Sequence, residues 1–222
     1  RREIGPSTLE KLGAYAGEMV ERVSADGVLV EFGSGSSLKT EILLAAPPAG
    51  ISYVPIDVSE AALLEARQRL KGRFPKLDVR AILGDFSRPI SFPADLAEKP
   101  KLGFFPGSSI GNLSPANAVD LLSGFMRTLG TGSSLIVGVD LKKDPRRLVA
   151  AYNDRAGVTA AFNLNLLARI NRDLGGAIDL GAFRHEALYN AREGRIEMHL
   201  VSTIAQSIRV AGRQFRFEAG ES

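Results

Sequence analysis

The 222-residue sequence contains no cysteine and no tryptophan, and its only histidines are His185 and His199. Without cysteine, disulfides, thiolate metal sites and cysteine nucleophiles are excluded within this chain. The two histidines have no partner at metal-binding spacing, so a zinc centre or a histidine-based nucleophilic triad is not expected, and both rings are assigned structural or exposed roles. No apolar run approaches the roughly 20 residues that a membrane helix needs. Neither a secretory signal nor an internal repeat nor a low-complexity tract is visible. Charge of one sign is also lacking: 28 basic residues face 25 acidic ones, for a net charge of +3. Arg67, Arg69, Lys71, Arg73 and Lys76 form a basic stretch, but they are mixed with Glu60 and Glu65 as on a solvated helix face. Nucleic-acid and membrane partners are therefore not expected, and the cytoplasm is the default compartment. The sequence opens on Arg1 rather than methionine, as a trimmed or partial chain would.

What remains is a globular composition, 45% hydrophobic and 24% charged, long enough for one domain or for one domain with a smaller lobe. Strand and helix patterns alternate. Strands are predicted near 27–32, 51–56, 78–83, 101–105 and 133–139, and helices near 8–22, 37–46, 59–72 and 115–129. Alternation of this kind specifies a parallel sheet. Ser7-Thr8-Leu9-Glu10 has a capping-box pattern, Ser59 is placed as a helix cap, and Ser114-Pro115 combines a cap with proline at the first helical position. Past Asp140 the pattern changes. Pro145 opens a short helix, residues 158–174 read as a longer one, and Phe183–Ala191, Gly194–Ala205 and Ser207–Phe217 read as antiparallel stretches with turns at 192–195 and 211–213. The first two stretches could complete the main sheet, or all three could belong to a separate lobe.

The chemistry concentrates at the predicted strand ends. Val28–Phe32 runs into Gly33-Ser34-Gly35, a turn that lets a ligand approach the backbone closely, with Leu38, Ile42 and Leu43 on the buried face of the next helix. Glu31 stands just before the first glycine. A carboxylate there repels a pyrophosphate and attracts a cation, which favours S-adenosylmethionine over NAD. The next strand ends in Asp57, about 20 residues on, where such folds place an acid on the ribose hydroxyls. The third ends in Asp85-Phe86, an acceptor for an adenine amino group beside a ring that can pack on the base. Each acid alone could be a cap or turn residue, but ligands of open α/β sheets bind at this strand edge. After the fourth strand comes Gly107-Ser108-Ser109-Ile110-Gly111-Asn112-Leu113, a polar loop at the same edge; Asn112 on spacing alone is equally a turn residue.

With these motifs the chain resembles the histidine Nα-methyltransferases of ergothioneine biosynthesis. The resemblance runs from about Val28 to Glu221 and includes Glu31–Thr40, Tyr53–Ser59, Gly107–Leu113, Ala151–Asp154, Ala156–Asn163 and Arg195–Met198. It implies a Rossmann-like, doubly wound α/β sheet of the class I methyltransferase type with a smaller α+β lobe. The division expected is 1–142 for S-adenosylmethionine and 143–222 for the substrate. It implies further that Gly33, Lys39, Asp57, Asp85 and Phe86 surround S-adenosylmethionine, joined by Glu31 and Gly35 from the turn. Gly107, Asn112 and Tyr152 are implied to meet the amino and carboxylate groups of an amino acid, expected to be L-histidine. No metal is implied.

The family's acid and serine that grip the imidazole lie just past a segment like Phe217–Glu221, and this sequence stops at Ser222. Its last sheet strands, and a tyrosine-bearing segment ahead of the first helix, also have no counterpart. The second lobe is thus expected to be incomplete and the sheet to have an open edge. Methylation of another amino acid or a histidine derivative, and cofactor binding without catalysis, are the alternative readings. An NAD oxidoreductase is disfavoured by Glu31 and by the absence of a third glycine at Ser37 or Leu38.

Overall fold

The first unit of the chain is built on β-branched and aromatic runs that can be buried on both sides, as parallel strands require. The computed structural model describes residues 6–24, 26–35, 37–46 and 50–222, apart from the side chains of 6–9, 11 and 38. Two compact units emerge, Arg1–Asp140 and Leu141–Ser222. In chain order the first contains α1 (Pro6–Val20), β1 (Val28–Phe32), α2 (Leu38–Leu44), β2 (Ser52–Asp57), α3 (Glu60–Arg73), β3 (Asp78–Val79) and β4 (Ile82–Leu83). It continues with α4 (Ala94–Ala97), β5 (Lys101–Phe105), a 3-10 turn at Ser109–Asn112, α5 (Pro115–Leu129) and β6 (Ser134–Val137).

The strands pair in parallel, with β1 between β2 and β5, β6 beyond β5, and the short β3 and β4 both on the far side of β2. Alternation along the strands separates two cores. Leu29, Tyr53, Leu102 and Phe104 pack with Ala16 of α1, Leu43 of α2 and Leu70 of α3. Val30, Phe32, Ile56 and Phe105 pack with Leu96 of α4 and Phe125 and Leu129 of α5. Phe32 and Phe125 stack at 3.9 Å between centroids. At about 1.5–3 kcal/mol per buried large apolar side chain, helices on both faces hold this Rossmann-like, doubly wound sheet together.

The predicted third strand is interrupted. β3 and β4 keep one register against β2, and the gap at Arg80-Ala81 lies opposite Val54-Pro55. Arg80 N donates to Tyr53 O on one side of the gap and Gly84 N to Asp57 O on the other. Pro55 has no N–H for the ladder rung between them, so pairing lapses there. Helix α1 begins at Pro6, which places Ser7 inside its first turn rather than ahead of it; the Ser7 side chain lies outside the described residues. Ser59 and Ser114 do cap α3 and α5, accepting from Ala62 N and Asn117 N.

In α2, Leu43 is buried and Ile42 partly so, while the Leu38 side chain lies outside the description. Thr40 and Glu41 are buried as well. The Glu41 carboxylate accepts from Arg69 Nε at 2.5 Å and Arg73 Nη1 at 2.6 Å, both on α3. The basic stretch is therefore not simply a solvated face, because two of its arginines neutralise a buried acid.

The second unit contains α6 (Pro145–Tyr152), α7 (Val158–Leu174), β7 (Phe183–Asn190), β8 (Arg195–Ser202), β9 (Gln206–Val210) and β10 (Arg213–Phe217). β7 pairs with β8 and β9 with β10, each as an antiparallel pair. The alternative in which the first two stretches extend the main sheet is thereby overturned. The third predicted stretch is a hairpin, since Ala211 (φ 48°) and Gly212 (φ 76°) turn the chain inside it. Leu167, Ile178, Phe183 and Ile208 form the core, and Asp154 opens α7 by accepting from Val158 N and Thr159 N. Those donors hold the Asp154 carboxyl down at about 2.

His185 is structural: Asn163 Nδ2 donates to its Nδ1 at 3.0 Å, which leaves Nε2–H to donate to Tyr152 O at 2.8 Å. His199 contacts Ser222 Oγ and Glu197 Oε2. Among the described residues, no helix is long and apolar enough to cross a membrane.

Candidate active site

Strand order reverses at β1, whose neighbours β2 and β5 lie on opposite sides, and a parallel sheet opens a crevice at the carboxyl ends of strands at such a point. A cavity of about 210 Å³ lies there. Glu31, Gly33, Ser34, Ser37 and Lys39 line it from the β1–α2 side, and Phe105, Pro106, Gly107 and Ser109 from the loop after β5. Four of the residues singled out in the sequence, Glu31, Gly33, Lys39 and Gly107, therefore share one cavity.

The glycine turn is fixed by the end of β2. Gly33 N and Ser34 N donate to Ile56 O, and Gly35 N donates to Asp57 Oδ2 at 2.8 Å. Asp57 Oδ1 accepts from Ser59 N at 2.9 Å. Each carboxylate oxygen retains acceptor capacity, so Asp57 can clamp the turn and still receive a ligand hydroxyl. Gly33 has φ +70°, and a Cβ there would stand 3.1 Å from the Phe86 ring. A side chain at 33 would be strained and crowded at once. Phe86 also meets Phe105 edge-on at 5.9 Å. Lys39 Nζ donates to Pro106 O at 3.4 Å, tying the two loops together across the crevice.

Asp85 is exposed and occupied locally. Ser87 Oγ and N both donate to its Oδ1, and these bonds hold its carboxyl below the ordinary range. Gly35, Asp57, Asp85 and Phe86 are outside the cavity lining, though Gly35 and Phe86 adjoin it through the contacts just given. Asn112 is exposed at the end of the 3-10 turn, also outside the lining. Tyr152 is the last residue of α6 in the second unit.

Some features of the site did not emerge from the sequence. Glu31 is only 2% exposed and accepts a short hydrogen bond from the Tyr53 hydroxyl, which lies 3.0 Å from Ser37 Oγ. Burial drives the Glu31 carboxyl up to about 7, against the opposing hydroxyls of Thr40 and Tyr53 and the charge of Lys39. The Tyr53 phenol is raised too, first by burial and then by Glu31. Ser34 Oγ is buried in the cavity wall with no hydrogen-bond partner among the described residues. Ser37 and Ser108 both hold left-handed backbone, φ 51° and 52°, at the head of the two loops. A buried carboxyl, an orphaned hydroxyl and a glycine pressed against an aromatic ring fit a cationic nucleoside such as S-adenosylmethionine, and fit a pyrophosphate poorly.

Comparison with known proteins agrees with this chemistry. Residues 9–222 match the family of histidine-specific, S-adenosylmethionine-dependent methyltransferases. The histidine N-alpha-methyltransferase of Mycolicibacterium smegmatis is 43% identical over 215 residues, covering 95% of this chain and 66% of that protein. The enzyme of the same name from Mycobacterium tuberculosis is 39% identical, over 96% of this chain and 67% of that protein. A 4-dimethylallyltryptophan N-methyltransferase, easF of Aspergillus fumigatus, is 28% identical over 88% of this chain and 61% of its own length. The chain thus spans about two thirds of the length of these two histidine N-alpha-methyltransferases. Matched over nearly all its residues, it belongs to the histidine-specific, S-adenosylmethionine-dependent methyltransferase family.

Proposed function

We propose that this chain carries an S-adenosylmethionine-dependent N-methyltransferase activity toward the α-amino group of L-histidine, giving trimethylhistidine (hercynine) in ergothioneine biosynthesis. The observation that carries the reading is the cavity in which Glu31, Gly33, Lys39 and Gly107 converge at the reversal of strand order in a chain of this family. S-adenosylmethionine supplies a methyl group already activated on a sulfonium. The protein's work is therefore positioning rather than covalent catalysis. Glu31 and Lys39 select charge at the glycine turn, Asp57 receives the ribose hydroxyls, and Asp85 with Phe86 borders the adenine.

Gly107 and Asn112 are assigned to the amine. The Asn112 amide can accept a hydrogen bond from the neutral amine while donating to the carboxylate. Tyr152, in the second unit, is assigned to the carboxylate on the family's pattern, and residues 143–222 are assigned as the substrate-binding part. The cytoplasm is the proposed compartment, and the partners are small molecules.

Incubation of the purified chain with S-adenosylmethionine and a mixture of all common amino acids, followed by mass spectrometry, tests the proposal. Histidine carrying one, two or three added methyl groups is expected; cofactor binding without any methylated product refutes catalysis by this chain. A second reading, another amino-acid substrate on the same scaffold, is favoured by the tryptophan-derivative relative at 28% identity. It would appear in the same experiment as a different methylated species.

A further inference from the structure

We infer that Tyr53 is a positioning residue for cofactor recognition, its hydroxyl holding the Glu31 carboxyl at the floor of the glycine-turn cavity for the positively charged amino-acid moiety of S-adenosylmethionine. The inference deepens the cofactor reading above and rests on it.

The register places Tyr53 beside Leu29, two positions before Glu31 and so on the same face of the sheet. A phenol in this aliphatic layer must find a partner when buried, and it finds two: Ser37 Oγ at the head of α2 and Glu31 Oε2. With Glu31 ionised, Ser37 donates to Tyr53 and Tyr53 donates to the carboxylate. With Glu31 protonated, the chain of donors can reverse. Either way the three groups satisfy one another, and Glu31, in the cavity lining, keeps acceptor capacity for a ligand.

The groups facing Glu31 are few. From β2 come Tyr53 and, further along, the charge of Asp57, which opposes ionisation; from α2 come Lys39 and Thr40, which favour it. The residue beside Glu31 on β5 is Phe104, which is apolar. Burial opposes ionisation most, so a ligand cation completes the carboxylate's neutralisation, and Tyr53 lowers the cost of that state by donating to it. Binding is then linked to release of a proton from Glu31.

Calorimetric binding measured from about pH 5.5 to 7.5, below the deprotonation of a ligand α-amine near 8, tests this. The probes are S-adenosylmethionine and 5′-deoxy-5′-methylthioadenosine, a neutral nucleoside thioether without the amino-acid moiety. For the unaltered chain, affinity for S-adenosylmethionine is expected to fall toward a limit of about tenfold per pH unit as pH drops below the Glu31 midpoint, with affinity for the neutral probe flat. Tyr53→Phe should move that midpoint upward by about one pH unit and leave the neutral probe's affinity unchanged. Ser37→Gly, which suits the left-handed backbone there, should shift it the same way by less, and serves if Tyr53→Phe folds poorly.

A Tyr53→Phe chain that loses affinity for both probes equally, with the midpoint unmoved, makes Tyr53 merely structural and overturns the inference. Failure of the unaltered chain to bind either probe at any pH overturns the cofactor reading, and this inference with it.

Discussion

Ser37 and Ser108 occupy backbone geometry that costs a residue with a Cβ on the order of 1–3 kcal/mol, and such strain gathers at ligand sites. Each stands where a loop of the cavity turns into a helix, with Ser109 beside Ser108 in the cavity wall. Ser108→Val should destabilise the chain by about 1–3 kcal/mol in chemical denaturation, because a β-branched residue tolerates positive φ poorly, while Ser108→Gly should be nearly neutral. Equal effects would mean that contacts, not backbone strain, set the residue. Asn112 bears on chemistry instead. As an exposed side chain outside the cavity wall, its replacement by Ala should reduce methylation by about 10²-fold or more and change cofactor affinity little. Equal losses in both would refute its assignment to the substrate.

The placement of Glu31, Gly33 and Asp57 at strand ends was legible because a strand run into glycine and an acid at a strand end are local patterns. Tyr53 was not, since its role depends on which residue of β1 it stands beside; the available signal was a lone phenol in a buried aliphatic strand.

Between elements, the pairing of α2 with α3 through Glu41 depends on the same kind of non-local geometry. A buried carboxylate in the first turn of α2 looks like surface in the sequence, and so did Arg69 and Arg73. Their exposures differ, 29% for Arg69 and 60% for Arg73, so the former should matter more. Arg69→Ala is expected to cost about 1–2 kcal/mol and Arg73→Ala under about 1 kcal/mol. The double variant should cost more than the sum, because only then is Glu41 left buried and unpaired. Additive values from urea titrations would show that Glu41 is not held jointly.

The interrupted third strand teaches the opposite lesson. Its cause, Pro55, was visible in the sequence, but it acts on a neighbouring strand rather than its own, and only the register reveals which residues lose their rung. The hairpin at Ala211-Gly212 falls at the turn that the sequence marks at 211–213; Gly212 is the local signal, and Ala211 shares its positive φ. The parallel sheet itself followed from strand–helix alternation, since no other arrangement buries both faces of strands so uniformly apolar.

For the molecule as a whole, the cavity carboxylate is a stability cost that function explains. Glu31 takes up its proton at about 7 when folded, against an ordinary value of 4.5. Below about 4.5 both folded and unfolded chains are protonated there, and the group adds no pH dependence. Between the two values the folded chain holds a proton that the unfolded chain has released, so the fold's advantage from this group declines as pH rises. Above 7 the folded chain must bury the charge, and the full difference, on the order of 3 kcal/mol, has been lost. Other carboxylates with lowered values act in the reverse sense, so the comparison must be between variants.

Glu31→Gln should therefore gain stability over the unaltered chain as pH is raised from about 4.5 to 8, by up to about 3 kcal/mol, in denaturant titrations without ligand. It should bind S-adenosylmethionine more weakly toward the upper end of that range, where Glu31 in the unaltered chain gives up its proton, as expected when a destabilised group is retained for recognition. A stability difference that stays constant with pH would show that Glu31 ionises as freely in the fold as outside it. In that case the Tyr53 hydroxyl and the ligand would have no proton on Glu31 to displace.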